Sequence, residues 1–218
     1  MYQKMTTEQL INYCLSFNWQ RKPKELHIHH TWSPAHKDFT GNNHLKMQNS
    51  MANYHKGKGW TDIGQHLTLA PDGIWITGRN FNENPASISG RNSKGFAIEM
   101  WGNFDSGKDK LQGEQLQSII EFAAWFIDYF NLSADENIKF HREYASKTCP
   151  GTGIDKKWFI NLVKELSGVE KITVVNGNIT MQGFIKDGTS YAPVRQLAES
   201  LGAKIEYNAN AKKVVIKK

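Results

Sequence analysis

Apolar positions recur along this chain in two periods, and their order sketches one α/β domain followed by a smaller unit. Thr6-Thr7-Glu8-Gln9 ahead of Leu10, Ile11 and Cys14 reads as a capped helix start. Leu26-His27-Ile28-His29 alternates as a half-buried strand does, with His27 and His29 on one face and Ile28 and His30 on the other. A helix is predicted over 43–56, ended near Gly57 and Gly59. Gln65 to Leu69, a Pro71-Asp72-Gly73 turn and Ile74-Trp75-Ile76 make a hairpin. Residues 94–101 form a strand candidate with Phe96, Ile98 and Met100 on one face and Ala97, Glu99 and Trp101 on the other. The longest helix is predicted over 114–130, where Leu116, Ile119, Ile120, Ala123, Trp125, Phe126 and Phe130 supply a wide apolar stripe. A short strand at 138–140 delivers His141, and a helix over 155–166 starts at Asp155 as its cap. Strands interleaved with helices predict an α/β fold, a mixed central sheet flanked by helices, with chemistry-bearing residues at strand ends and in loops.

The pattern changes after Ser167-Gly168. Ile172-Thr173-Val174-Val175, an Asn176-Gly177 hairpin turn, strand-like residues around Met181 and Phe184, a helix over 193–201 ended by Gly202 and two further strands predict a small α+β domain of ββαββ order. The expected division is 1–168 and 169–218. Residues 169–218 hold eight Lys and Arg against four Asp and Glu, whereas residues 1–168 hold 19 against 17, so most of the +6 net charge sits in the small domain. A basic balance suits polyanions. The lysines are scattered, however, and no nucleic-acid module signature appears, so no nucleic acid is expected and an anionic wall polymer fits better. No apolar run reaches the roughly 20 residues of a membrane span, and no membrane partner is expected. Met1 to Glu8 lacks an apolar signal region, which predicts synthesis in the cytoplasm. Two cysteines make no disulfide framework, and Cys14 reads as a small core residue.

The chemistry concentrates in His141-Arg-Glu-Tyr-Ala-Ser-Lys147-Thr-Cys149-Pro150, taken with His29-His30 upstream. Two imidazoles and one thiolate form a three-ligand set for zinc that leaves a position open for water, as a catalytic site requires. Lys147 would stand at its rim. Glu99 is the second informative residue, because a carboxylate inside an apolar strand costs free energy unless something uses it. It reads either as an edge residue in solvent or as a general base. Trp32, Arg79, Asn80 and Trp101 are candidates for lining a ligand groove, with hairpin or core packing as the alternative.

Five ordered blocks carry a resemblance: Ile28-His29-His30-Thr31, Gly59-Trp-Thr-Asp-Ile-Gly64-Gln65-His66, Pro71-Asp-Gly73 with Gly78-Arg79, Phe96-Ala-Ile-Glu99, and His141 through Lys147-Thr-Cys149-Pro150. Over residues 22–167 the chain resembles the type-2 N-acetylmuramoyl-L-alanine amidases, which share a fold with peptidoglycan recognition proteins and phage lysis amidases. The resemblance implies His29, His141 and Cys149 as ligands of Zn2+, Glu99 as the catalytic carboxylate and Lys147 as an aid at the scissile carbonyl. It implies bacterial peptidoglycan as partner and an endolysin that leaves the cytoplasm to act on the wall. Some members carry a catalytic tyrosine where Gln65 stands; an amide cannot ionise but can still hydrogen-bond to substrate. Gly188-Thr-Ser-Tyr191-Ala-Pro193-Val-Arg195 and the helix after it resemble the module named for the N-terminal domain of copper amine oxidases. Residues 169–218 contain no histidine or cysteine to hold copper, so wall anchoring is the expectation, with a homodimer through this domain as the alternative. Two rivals remain for the larger domain: a non-catalytic peptidoglycan-binding module, and a cysteine peptidase built on Cys149.

Overall fold

Alternation in Glu25-Leu-His-Ile-His-His30 builds an interior strand of a six-stranded sheet, and every one of its residues is buried. The computed structural model describes residues 2–168, 170–186, 188–208 and 213–217. Contacts divide the chain into two compact units, Met1–Ser167 and Gly168–Lys218.

The larger unit runs β1 (Lys4–Met5), α1 (Thr7–Ser16), β2 (Glu25–His30), α2 (His44–Gly57), β3 (Leu67–Leu69), β4 (Trp75–Thr77), β5 (Gly95–Met100), α3 (Gly113–Tyr129), α4 (Ala134–Asn137), β6 (Ile138–Phe140) and α5 (Lys156–Leu166). The sheet order is β1-β4-β3-β5-β2-β6. β2 pairs in parallel with both β5 and β6, and β3 in parallel with β5, while β4 is antiparallel to β1 and β3. The sheet is therefore mixed, and α/β is the observed class.

One face of the sheet presents Leu26, Ile28, Phe96, Ile98, Met100, Ile138 and Phe140 to α1, α3 and α5. The stripe of α3 meets it with Ile119, Phe122, Ala123 and Phe126, all buried. Each of the isoleucine and phenylalanine side chains contributes about 1.5–3 kcal/mol relative to exposure. Across the sheet, Ala70, Ile76 and Trp101 pack with Met47 of α2. The hairpin turn at Gly73 needs glycine twice over, for its φ of +77° and because a Cβ there would lie 2.8 Å from Ser118 Oγ on α3.

Helix starts follow their caps: Thr6 accepts from the Gln9 amide, and Asp155 accepts from the Trp158 amide. The two-residue strand β1 and the one-turn helix α4 lie outside the sequence expectation, because neither is long enough to show a period. Both cysteines are free, and Cys14 sits in the apolar core, where burial pushes its thiol up to about 12.

The smaller unit contains β7 (Glu170–Asn176), β8 (Ile179–Lys186), β9 (Thr189–Tyr191), α6 (Val194–Ser200), β10 (Lys204–Asn208) and β11 (Lys213–Lys217). β7-β8-β9 form one antiparallel sheet and β10-β11 a second. Strand β9 adds a third strand before the helix to the expected ββαββ order. Asn176 pairs with Ile179, so the hairpin loop is Gly177-Asn178, one position later than the Asn176-Gly177 reading. Among the described residues no helix is long and apolar enough to cross a membrane.

Candidate active site

Parallel pairing brings the carboxyl ends of β2, β5 and β6 to one edge of the sheet, the place where open α/β sheets bind ligands. His29 stands near the end of β2 and Glu99 lies directly beside it in register on β5. Registered neighbours in a parallel pair share a face, so both side chains leave the sheet opposite the apolar core. His141 follows at once after β6, where the chain tightens into a 3₁₀ turn.

Cys149 comes from the loop beyond, which Arg142 holds in place. The Arg142 amide donates to Cys149 O at 2.7 Å, and its guanidinium donates to Gly151 O at 2.6 Å and Ile154 O at 2.7 Å. The His30 amide donates to Cys149 Sγ at 3.4 Å. Cys149 Sγ lies 3.4 Å from His29 Nδ1, and the His29 and His141 rings stand 4.7 Å apart. One ligand atom from each of His29, His141 and Cys149 lies within 4.8 Å of the others, the one group among the described residues placed so that it could hold a metal ion.

Their chemistry suits a borderline-soft divalent cation. Burial first, and neighbouring positive charge second, holds His29 and His141 below the usual histidine range, so both rings are neutral and offer lone pairs. Burial pushes the Cys149 thiol up to about 12, with the Glu99 charge adding to the effect. A thiol placed this way ionises when a cation stands beside it. Two neutral imidazoles and a thiolate are the donor set of a zinc site with an open position, so the residues fit the metal. The same burial argues against a free nucleophilic thiolate. Cys149 and Pro150 lie in a turn that the Gly151 amide closes by donating to Thr148 O at 2.8 Å, without the helix N-terminus that lowers a cysteine's pKa.

A cleft of about 860 Å³ opens over this cluster, lined also by Glu99, Lys147, Trp32, Trp60 and Ser87. Burial raises Glu99 to about 7, with Lys147 pulling the other way, and no hydrogen bond contributes to the shift. Lys147 is exposed at the rim. Trp32, 60% exposed, is held at a φ of +57°, a strained setting for a bulky residue that presents its ring to the cleft.

Other predicted groove residues lie elsewhere. Arg79 donates to Ile63 O at 2.9 Å, Asn84 O at 2.9 Å and Asp62 O at 3.2 Å, so its guanidinium ties two loops together instead of reaching for a peptide carboxylate. Replacing Arg79 with alanine should therefore cost about 2–3 kcal/mol of stability and leave metal uptake by the His29, His141 and Cys149 cluster unchanged. Unfolding curves and chelator competition on the variant check this, and unchanged stability would release Arg79 from this structural role. Asn80 is exposed and accepts from the Asn82 amide, away from the cleft lining. Trp101 is fully buried and donates to Ala35 O. Gln65 is 3% exposed and donates to Thr68 Oγ1 at 2.9 Å, and Thr68 is the other registered neighbour of Glu99. Gln65 therefore meets the site through Thr68, behind the lining.

His66 acts as a brace: its Nδ1 accepts from the Ala97 amide, its Nε2 donates to Glu83 O, and its ring stacks on Phe96. Sequence reasoning passed over Ser87, Trp60 and His55, which line the cleft. The Gly59-Trp60 block was a signal for Trp60, whereas the aperiodic segment around Ser87 offered none.

A mixed sheet with a His/His/Cys cluster and a carboxylate at the open ends of its parallel strands defines a class of α/β domain. The chain belongs to the N-acetylmuramoyl-L-alanine amidase family, whose profile matches residues 19–152, and residues 170–218 match the copper amine oxidase N-terminal domain. The human N-acetylmuramoyl-L-alanine amidase is 37% identical over 134 residues, which cover 59% of this chain and 22% of that protein. Peptidoglycan-recognition protein SC2 of Drosophila melanogaster is 28% identical over 109 residues, covering 50% of this chain and 58% of that one. The chain thus spans about a fifth to three fifths of the length of these curated relatives. Among solved structures, the endolysin amidase LysCS from Clostridium intestinale superposes with a TM-score of 0.55 at 22% identity, covering 68% of this chain and 92% of that one. Drosophila PGRP-LB gives 0.54 at 24%, covering 68% and 81%. These likenesses establish the shared fold.

Proposed function

We propose that the larger unit is a zinc-dependent amidase that hydrolyses the bond between the lactyl group of N-acetylmuramic acid and L-alanine in bacterial peptidoglycan. The observation that carries this reading is the convergence of His29, His141 and Cys149 beside Glu99 in one cleft. When bound, the metal supplies Lewis-acid polarisation of the scissile carbonyl and acidifies water. Glu99, beside the cluster and outside the ligand set, takes the proton of the attacking water and delivers it to the leaving amine. Lys147 reaches in from the rim to the developing oxyanion, a contact worth roughly 10²–10³ in kcat when a single donor of this kind is lost. Trp32 offers an aromatic face to the sugar ring.

Purified peptidoglycan incubated with the zinc-loaded chain should release new L-alanine amino termini, and a chelator should stop the release reversibly. Wall binding without new ends would make the domain a recognition module. Release of ends that survives full metal removal would defeat the zinc mechanism.

The lytic role is part of the same proposal: an endolysin that reaches the wall from the cytoplasm. The smaller unit then anchors the enzyme through its excess of positive charge. A chain ending at residue 168 should bind walls more weakly than the full chain, and added salt should shrink the difference. Equal binding by the two would exclude anchoring.

A further inference from the structure

Glu25, His27 and His29 alternate along β2, and their side chains share the face that carries the ligand cluster. A chain of hydrogen bonds links them through Ser87, a residue from a distant loop. Ser87 Oγ lies 2.6 Å from His29 Nε2 and 3.0 Å from His27 Nδ1. His27 Nε2 lies 3.1 Å from Glu25 Oε2. Arg91 closes the chain with a two-pronged grip on Glu25, through Nε at 2.8 Å and through Nη2. The guanidinium of Arg91 also lies over the Tyr144 ring, 4.5 Å from its centre.

The donors in this chain have a single consistent direction. A carboxylate paired with arginine is ionised and only accepts, so His27 must donate from Nε2. The His27 Nδ1 lone pair then accepts the Ser87 hydroxyl proton. Ser87 oxygen is left to accept from His29 Nε2–H. The remaining lone pair of His29 sits on Nδ1, the atom that faces Cys149 Sγ. Space for the chain comes from Gly95, which pairs with Glu25 across the sheet: a Cβ there would lie 2.2 Å from His27 Cε1.

We infer that Ser87, His27 and Glu25 are positioning residues that set the tautomer and ring direction of His29, so that it holds the metal through Nδ1. This rests on the zinc reading above. Hydrogen-bonded partners behind a ligating histidine fix its orientation and basicity, and their loss costs roughly 10–100-fold in metal affinity.

The test uses the full chain. Zinc affinity is measured by competition with a chromogenic chelator, and imidazole ¹⁵N NMR of the zinc-loaded protein reads which ring nitrogen of His29 is protonated. Ser87→Ala should weaken zinc binding roughly 10–100-fold in a chain that still folds without metal. Ser87→Thr, which keeps the hydroxyl, should restore most of the affinity. Glu25→Gln gives an independent reading and should weaken binding in the same direction, because an amide can donate as well as accept and so admits the wrong tautomer. The parent spectrum should show His29 protonated at Nε2 and metal-bound at Nδ1. Parent-like affinity in both Ser87→Ala and Glu25→Gln, or zinc held through Nε2, would overturn the inference while leaving the metal site intact. A parent chain that takes up no zinc would overturn the metal reading itself, and this inference with it.

Discussion

Replacing Glu99 with glutamine is expected to leave zinc content unchanged, lower kcat by roughly 10²–10⁴-fold, and stabilise the metal-free protein above neutral pH. The first two effects follow from the position of the carboxylate beside the ligand cluster, where it is no part of the ligand set. The third follows from burial, which lifts its pKa from 4.5 to about 7. Between those values the folded state keeps a proton that the unfolded chain has released, so stability falls as pH rises through this window and stays lower above it. Glutamine carries no charge and escapes that loss. Parent and variant should therefore unfold alike below pH 4.5 and differ by up to about 3 kcal/mol at pH 8, measured by denaturant titration in excess chelator. Identical curves at pH 8 would mean the carboxylate is solvated, and retained turnover would remove it from the role of base. A cation in the cluster pulls the same pKa down, so the acid limb of kcat/KM in the zinc enzyme should lie below 7.

Substituting Cys149 with alanine should abolish both zinc binding and wall cleavage while the fold persists. The loop that carries it is held by Arg142 through backbone carbonyls, and the thiol has no part in those bonds. The parent itself provides a second reading of the same residue. Because burial pushes the thiol up to about 12, zinc uptake near neutral pH must displace one proton from Cys149. The two histidines, held below their usual range, are already neutral there and release none. Zinc affinity should then rise about tenfold per pH unit between roughly 7 and 9. Chelator competition across a pH series measures this slope. A flat profile, or full zinc content in Cys149→Ala, would take the thiolate out of the ligand set.

Both predictions concern residues that the chain announces in one dimension. Period-two alternation places His27 and His29 on a common face whatever the strand packs against, and the same rule separates Glu99 from Phe96, Ile98 and Met100. The apolar stripe of α3 and the turn chemistry at Gly73 are equally local, which is why the α/β class and most element positions were legible. Very short elements such as β1 were not, since two residues carry no period.

Long-range packing decided the rest. Eight histidines are present, and no spacing rule distinguishes the brace His66, which bonds backbone groups on two other segments, from the cluster member His29. Arg79 and Asn80 follow a conspicuous hairpin motif, yet Arg79 turns to the carbonyls of neighbouring loops and Asn80 to its own turn, because unpaired carbonyls need donors wherever loops meet. Ser87 shows no pattern at all in the sequence and becomes a neighbour of His27 and His29 only when β2 and its loop are packed together. Local periods determine which face a side chain leaves from. Which distant group meets it there is a property of the folded chain, where burial obliges every polar atom to find a partner.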